Sequence, residues 1–298
     1  MRGEPLALEE AAGQAGSYPV RLVSLNDGDA DTGTWEPGPT SRNARRAAAD
    51  PTAVAYLGDF NSDASAVSMP ILNEAGILQI SPSNSYVGLT RREGACCGEP
   101  GRYFPSGTRH FVRLTPPDHL QARAMVDYLE RRRVRRAFVV DDGELYGGGL
   151  AALIRKRLGR GGVVRVGRAR LHRRGRNAAT IARRVRSSRG DAMVFAGITQ
   201  NGAVRLWSHV FRRNPRLKLF GVDGVAESAF LTRQIRRRAA KRTRITNPTL
   251  VPVAYPPSAH AFFSAFRSRY GHEPYPYAIA GYGRDGYLRF DRVLRTGG

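Results

Sequence analysis

Lysine is almost absent from this chain of 298 residues, although the chain is strongly basic. Of its 48 basic residues 45 are arginines, and the lysines are Lys156, Lys218 and Lys241. The formal net charge is +23, and such a balance in itself favours a nucleic-acid partner. Surfaces that bind phosphate backbones use lysine and arginine alike. We therefore interpret the arginines as a solvated surface with a compositional bias and expect no nucleic-acid partner.

Long apolar runs and cysteine are scarce as well. No run of 18 or more apolar residues occurs, so the pattern predicts no membrane span. The first residues, MRGEPLALEEAAG, have no apolar core of a signal peptide. Cys96 and Cys97 are adjacent, and neighbouring cysteines rarely form a good mutual disulfide. Since there is no C-x-x-C and no pair of histidines at metal-ligand spacing, we expect neither a metal nor a cofactor.

Short apolar runs and amphipathic stretches alternate from residue 50 to about 225. The predicted strands are 53–60, 77–83, 135–142, 163–171, 191–198 and 217–223, and the predicted helices are 64–76, 119–133, 149–158, 177–188 and 203–214. The strands are apolar throughout, as expected for strands buried on both faces. This alternation predicts an α/β fold with parallel, doubly wound sheets.

The alternation falls into two blocks that are separated by the dipeptide Pro116-Pro117. Proline continues neither a helix nor a central strand, so we interpret this point as a hinge or a crossover. After the second block the pattern predicts a strand over 250–257 and helices over 258–270 and 278–294.

Polar side chains collect after the predicted strands, where ligands of open parallel sheets bind. The candidates are Asn61, Ser62, Ser83, Asn84, Ser85, Tyr146, Thr199 and Asp223. Hydroxyls and backbone N–H groups at helix N-termini suit a carboxylate, and an acidic side chain suits an ammonium. The set matches an amino acid, although the same residue types also suit helix caps and turns.

The sequence lacks the common cofactor-binding and catalytic motifs. The glycines 147–149 precede a helix as in a phosphate-binding loop, but they form neither G-x-G-x-x-G nor G-x-x-x-x-G-K-[ST]. The chain has no G-x-S-x-G, and no serine stands with histidine and aspartate in a recognisable order.

The stretch YLGDFNSDASAVSMPILNEAGILQISPSNSYVGLT (56–90) resembles the branched-chain amino-acid substrate-binding proteins of ABC transporters, the Leu/Ile/Val-binding family of type I periplasmic binding proteins. The similarity continues through 137–151 and through 261–287, so it covers nearly the whole chain. The resemblance implies two Rossmann-like lobes with parallel sheets around a hinged cleft. The N-terminal lobe would be 1–115 plus 252–298, and the C-terminal lobe 116–251.

The same resemblance assigns roles to individual residues. Ser62 and Ser85 fall where the family holds the ligand carboxylate, and Asp223 falls where it holds the ligand ammonium. Further pocket positions fall on Phe60, Asn61, Ser83, Asn84, Tyr146, Ile198 or Thr199, and Tyr277. The family more often has the longer Glu at the acidic position and Thr in place of Ser85, so the ligand need not be leucine.

The function that the resemblance implies is solute binding for an ABC importer, outside the cytoplasm in the periplasm or as a cell-surface lipoprotein. The ligand would be an amino acid or an amide, the partner a membrane permease, and the protein a monomer without enzymatic activity. Two alternatives stay open: a ligand-sensing domain of a receptor or regulator with this fold, and an amidase-like enzyme.

One strand of the predicted N-terminal sheet is missing from the pattern. Residues 18–28 predict its second strand and 53–60 its third, whereas the first would lie between them in a sheet of order 2-1-3-4-5. The segment LALEEAAG before residue 18 favours a helix. We therefore expect a sheet without its central strand, a start that lies upstream, or direct pairing of 20–25 with 53–58.

Overall fold

The computed structural model describes residues 3–92, 95–160, 162–230, 235, 237–250, 252–274 and 277–278. Its first elements in chain order are α1 (Gly3–Glu10), β1 (Gln14–Ala15), β2 (Tyr18–Pro19), α2 (Pro37–Ala49), β3 (Ala55–Leu57), α3 (Ser62–Glu74), β4 (Leu78–Ser81) and β5 (Phe111–Arg113). They are followed by α4 (Asp118–Arg131), β6 (Arg136–Asp141), α5 (Leu145–Leu158), β7 (Val164–Arg170), α6 (Ala178–Ser187), β8 (Ala192–Ala196), α7 (Ala203–Arg213), β9 (Lys218–Gly221), α8 (Arg237–Arg242), β10 (Thr243–Ile245) and α9 (Pro257–Tyr270).

The second half of the chain forms a five-stranded parallel sheet. Its strand order is β10-β9-β8-β6-β7, with β6 paired to both β7 and β8. Helices alternate with the strands along the chain, as the sequence pattern predicts. The α/β fold with parallel sheets is therefore confirmed.

Both faces of the central strands β6, β8 and β9 are buried, which explains their continuous apolar runs. Phe138 and Val140 of β6 pack into the core on the side of α6 and α7. Ala137 and Val139 of the same strand pack into the core on the side of α4 and α5. Because side chains of a strand point alternately to opposite faces, a strand between two helical layers needs an apolar residue at every position.

The first half of the chain forms a smaller parallel sheet of order β3-β4-β5. The strand predicted over 18–28 is wrong for most of its length, since Tyr18–Pro19 pairs with Gln14–Ala15 and 20–27 joins no strand among the described residues. Direct pairing of 20–25 with 53–58 does not occur either. A segment becomes a strand through its ladder partner, and one edge of β3, whose Leu57 is 45% exposed, pairs with no strand among the described residues.

The strand predicted over 250–257 is also wrong. A single helical turn covers Pro252–Ala254, and the strand that joins the sheet is β10, a few residues earlier. Proline lacks the N–H group that a ladder requires, which disfavours a strand in this proline-rich segment. The helix predicted over 258–270 is confirmed as α9, whose Phe262 and Phe266 pack against Leu6 of α1. The helix predicted over 278–294 lies outside the described residues, except for its first residue.

The structure also describes the proline pair and the cysteine pair that stand out in the sequence. Pro116 and Pro117 connect β5 of the smaller sheet to α4 of the larger sheet. Cys96 and Cys97 form a disulfide with each other, contrary to the expectation from their adjacency. The nearby Glu99 accepts hydrogen bonds from the hydroxyls of Tyr86 at 2.8 Å and Tyr103.

Candidate functional site

The hydroxyl side of the candidate site is built where β3 and β4 end. Ser62 opens α3 and is buried, and its Oγ accepts a hydrogen bond from the N–H group of Tyr86 at 3.3 Å. Ser85 is buried as well, but its Oγ has no hydrogen-bond partner among the described residues. The N–H groups of the first turn of α3 have no acceptor within the helix. Ser62 and Ser85 thus lie together beside a helix N-terminus, where an anion is favoured.

Four other candidate residues lie near Ser62 and Ser85 in the chain: Phe60, Asn61, Ser83 and Asn84. The side chains of Ser83 and Asn84 donate to the carbonyl of Phe60 at 2.7 Å and 3.1 Å, so they join the end of β4 to the end of β3. The Phe60 side chain is 38% exposed. Asn61 is half-buried at the N-cap of α3 and makes no capping bond with its side chain.

The acidic side of the site is built around Asp223, directly after β9. The hydroxyl of Tyr146 donates to Oδ1 of Asp223 at 2.6 Å, and the hydroxyl of Tyr277 donates to Oδ2 at 2.7 Å. All three side chains are buried. Burial raises the pKa of Asp223, while the two tyrosines and Gln121 lower it. Thr199 lies alongside, with its hydroxyl 3.4 Å from the carbonyl of Gly224.

Asp118 is the residue that sequence reasoning missed. It is 0% exposed at the start of α4, and its N–H group donates to the carbonyl of Ser85 at 2.8 Å. Neither carboxylate oxygen has a hydrogen-bond partner of good geometry among the described residues. Burial and the charge of Asp223 raise the pKa of Asp118 to about 8, while Ser85 and Arg113 act in the opposite direction.

Further unpaired acceptors accompany Asp118. Oγ1 of Thr115 and Oε1 of Gln121 are buried without a hydrogen-bond partner in the described part of the chain. Buried polar atoms are nearly always paired in native proteins. The carboxylate of Asp118 and these two neutral oxygens are therefore acceptors that a cation with several N–H groups could satisfy.

A contact between α3 and α5 brings the two sides together. The carboxylate of Asp63 accepts hydrogen bonds from the N–H groups of Leu145 and Tyr146, the latter at 3.1 Å. These are the first residues of α5, so Asp63 satisfies a helix N-terminus from another element. Burial and the charge of Glu144 raise the pKa of Asp63 to about 8.

The glycines 147–149 lie within α5 and do not form a loop. A Cβ at Gly149 would come within 2.6 Å of the Tyr86 ring, whereas a Cβ at Gly148 would meet no atom within 4 Å. Gly149 therefore permits a close approach of α5 to the hydroxyl side of the site. The described residues also contain no group of three or more His, Cys, Asp or Glu that could hold a metal ion.

No helix in the described ranges has the length and apolar character that crossing a membrane requires.

Comparison with known proteins gives one match to a family model and many to solved structures. The family model described as periplasmic binding protein matches residues 2–296. An amino acid binding protein of Pseudomonas aeruginosa is 24% identical over 287 residues, which cover 94% of this chain and 70% of that protein.

Two of the similar structures are named for branched-chain amino acids. The leucine binding protein LivK of Thermotoga maritima is 20% identical, with a TM-score of 0.78 over 99% of this chain and 77% of that chain. The substrate binding protein LivJ of Streptococcus pneumoniae, in complex with isoleucine, is 21% identical, with a TM-score of 0.77 over 98% of this chain and 77% of that chain. At these identities the structures establish the fold.

Proposed function

The chain belongs to the periplasmic binding protein family, and from this premise we propose that it binds an amino acid for an ABC importer. The ligand would lie between the hydroxyl side and the acidic side of the candidate site. The observation that carries the proposal is the buried carboxylate of Asp118, whose oxygens make no hydrogen bond of good geometry among the described residues and which lies near a second carboxylate, Asp223. An ammonium group supplies the donors that this region lacks.

The opposite end of the ligand would be held by hydroxyls and backbone amides. Ser85 has an unpaired Oγ, and Ser62 lies in the first turn of α3. Hydroxyls donate to a carboxylate, and the positive end of the helix dipole favours the same charge. A site with acceptors at one end and donors at the other selects a zwitterion over a simple amine or a simple acid.

We also propose the division into lobes that the sequence predicts, 1–115 with 252–298 and 116–251. Packing of α9 against α1 supports the return of the chain to the first lobe, and the ion pair between Arg269 and Glu9 at 2.9 Å adds to it. Closure of two lobes over a ligand would bring Asp63 to the N-terminus of α5.

The family match supports a proposal for the partners and the location. A closed, ligand-bound form would be recognised by a membrane permease, and the protein would act outside the cytoplasm as a monomer. Its homologues are named as binding and transport proteins, which favours a function without catalysis.

The test is calorimetry with ligands that differ by one functional group. A thermal-shift screen of amino acids and amides first identifies a ligand; for leucine, the matched probes are 4-methylpentanoate, which lacks the ammonium, and 3-methylbutylamine, which lacks the carboxylate. We expect each probe to bind at least about 30-fold more weakly than the amino acid, because buried polar groups are left unpaired. Asp223→Asn and Asp118→Asn should each weaken binding by roughly 2–5 kcal/mol.

The control is Asp127→Asn, which removes a carboxylate from the exposed face of α4. It should leave the affinity unchanged. Equal affinity for the amino acid and for the acid that lacks the ammonium would contradict the proposal, as would binding that survives both cleft substitutions.

A further inference from the structure

A second cavity lies against α7, separate from the candidate cleft. Its volume is about 330 Å³, which is at the small end of ligand pockets. Arg205, His209 and Arg212 line one wall. They are spaced four and three residues apart on α7, so they lie side by side on one face of the helix. The opposite face, with Leu206 and Val210, is buried in the core of the larger sheet.

The polar wall of this cavity consists of donors. The Nη2 atom of Arg212 lies 2.9 Å from Nδ1 of His209. Arginine can only donate, so Nδ1 is the acceptor and the proton of the neutral imidazole is on Nε2. Burial, together with Arg212, Arg213 and Arg205, lowers the pKa of His209, which favours this neutral form. Two guanidinium groups and an imidazole N–H therefore surround the same space.

The cations of this wall have no acidic partners in the part of the chain that the structure describes. None of the described lining residues is acidic, and neither Arg205 nor Arg212 forms an ion pair with a described carboxylate. Arg170 and Arg173, by contrast, lie beside Asp141 and Glu36. The positive charge of this wall is therefore available to a ligand that carries negative charge.

Apart from Ser208, whose hydroxyl donates to the carbonyl of Val204 at 3.0 Å, the remaining lining is apolar. This part of the cavity is formed by Phe211 of α7, by Ile235, which precedes α8, and by Ala239 of α8. All three residues are buried. Guanidinium groups bind carboxylates and phosphates through two parallel hydrogen bonds. We propose that this cavity binds a small organic anion, either a carboxylate or a phosphate monoester with an apolar body, at a site that shares no residue with the cleft. The site goes beyond amino-acid binding and does not depend on it.

The experiment titrates the full chain with phenyl phosphate, with inorganic phosphate and with phosphatidylglycerol vesicles. Calorimetry gives the affinity, and NMR of the histidine rings reports whether the His209 resonances shift. We expect phenyl phosphate to bind once per chain and to shift His209. Inorganic phosphate should bind more weakly because it leaves the apolar wall unused, and vesicles should show no binding that survives physiological salt.

The double variant Arg205→Gln/Arg212→Gln is compared with Arg165→Gln/Arg168→Gln, which removes the same charge from exposed positions of β7. Loss of two charge-assisted contacts should weaken phenyl phosphate at least about tenfold in the first variant and leave it unchanged in the second. Both pairs are exposed, and thermal melts check that both variants fold. Equal weakening in the two variants, no shift of His209, or binding to vesicles alone would overturn the proposal.

Discussion

A buried carboxylate loses the solvation that keeps it ionised, and Asp118, whose oxygens make no hydrogen bond of good geometry among the described residues, is in this position. Its pKa rises to about 8 from an ordinary value near 3.8, because of burial and of Asp223. The folded state therefore holds a proton that the unfolded state releases above about pH 4. This contribution to stability is fully present below that pH and is lost as the pH rises through about 8.

The first prediction concerns the unliganded protein with Asp118→Asn. Asparagine does not ionise, so the variant should lose this part of the pH dependence. Between pH 5 and pH 8 its free energy of unfolding should rise relative to that of the parent by up to about 4 kcal/mol, because a proton held only by the folded state is worth about 1.4 kcal/mol per pH unit. Urea unfolding of both proteins at the two pH values measures the difference. Asp127→Asn, at an exposed site, should behave like the parent, and a variant with the parent's pH dependence would contradict the assignment.

At the scale of elements, α5 connects the two sides of the site through its first turns. Its N-terminal N–H groups face Asp63, and its Gly149 lies against the Tyr86 ring. Helix formation itself would favour alanine over glycine at both 148 and 149. The different space around the two glycines allows a matched pair of substitutions.

Gly149→Ala should weaken ligand binding, because the added methyl group would meet the Tyr86 ring at 2.6 Å and push α5 away from the site. Gly148→Ala has open space around its Cβ and should stabilise the protein by about 0.5–1 kcal/mol with unchanged affinity. Thermal melts and calorimetry with the amino-acid ligand measure both effects. Equal affinities for the two variants would mean that the close approach of α5 is not required for binding.

Asp63→Ala should also weaken binding, since it removes the acceptor for two N–H groups of α5. The loss of a helix cap typically costs about 0.5–2 kcal/mol, so we expect the affinity to fall by a few-fold to about 30-fold. Stopped-flow measurement should show faster ligand release. Asp127→Ala removes the same charge from the surface and serves as the control; a release rate that is the same in both variants would argue against this contact.

At the scale of the whole molecule, the net charge of +23 governs how the protein interacts with polyanions. Many arginines are exposed, including those of β7, and some pair with surface carboxylates such as Asp127 and Glu36. Arginines scattered over helices and edge strands attract polyanions without recognising a sequence.

We therefore predict weak binding to duplex DNA that depends on salt. Fluorescence anisotropy should show an affinity that falls roughly a thousandfold or more between about 50 and 200 mM salt. A duplex of scrambled sequence should bind equally well. A complex that discriminates between the two duplexes at physiological salt would overturn the interpretation of the arginines as a solvated surface.

The sequence by itself determined the alternation of strands and helices and the resemblance of 56–90 to a known family. Strands between two helical layers carry consecutive apolar residues, as in 137–140 of β6 and 192–196 of β8, so both could be recognised without a structure. Ser62, Ser85 and Asp223 could be named as candidates because they directly follow such strands. Their proximity to one another came from the fold.

The tertiary structure decided the features that depend on partners distant in sequence. Residues 20–25 have a strand-like composition but no ladder partner among the described residues, and β10 becomes a strand because β9 lies beside it. Asp118 looks like an ordinary acidic residue in the first turn of a helix. Its burial, its missing donors and its repulsion from Asp223 exist because separate parts of the chain enclose it, and local sequence carries no signal for such contacts.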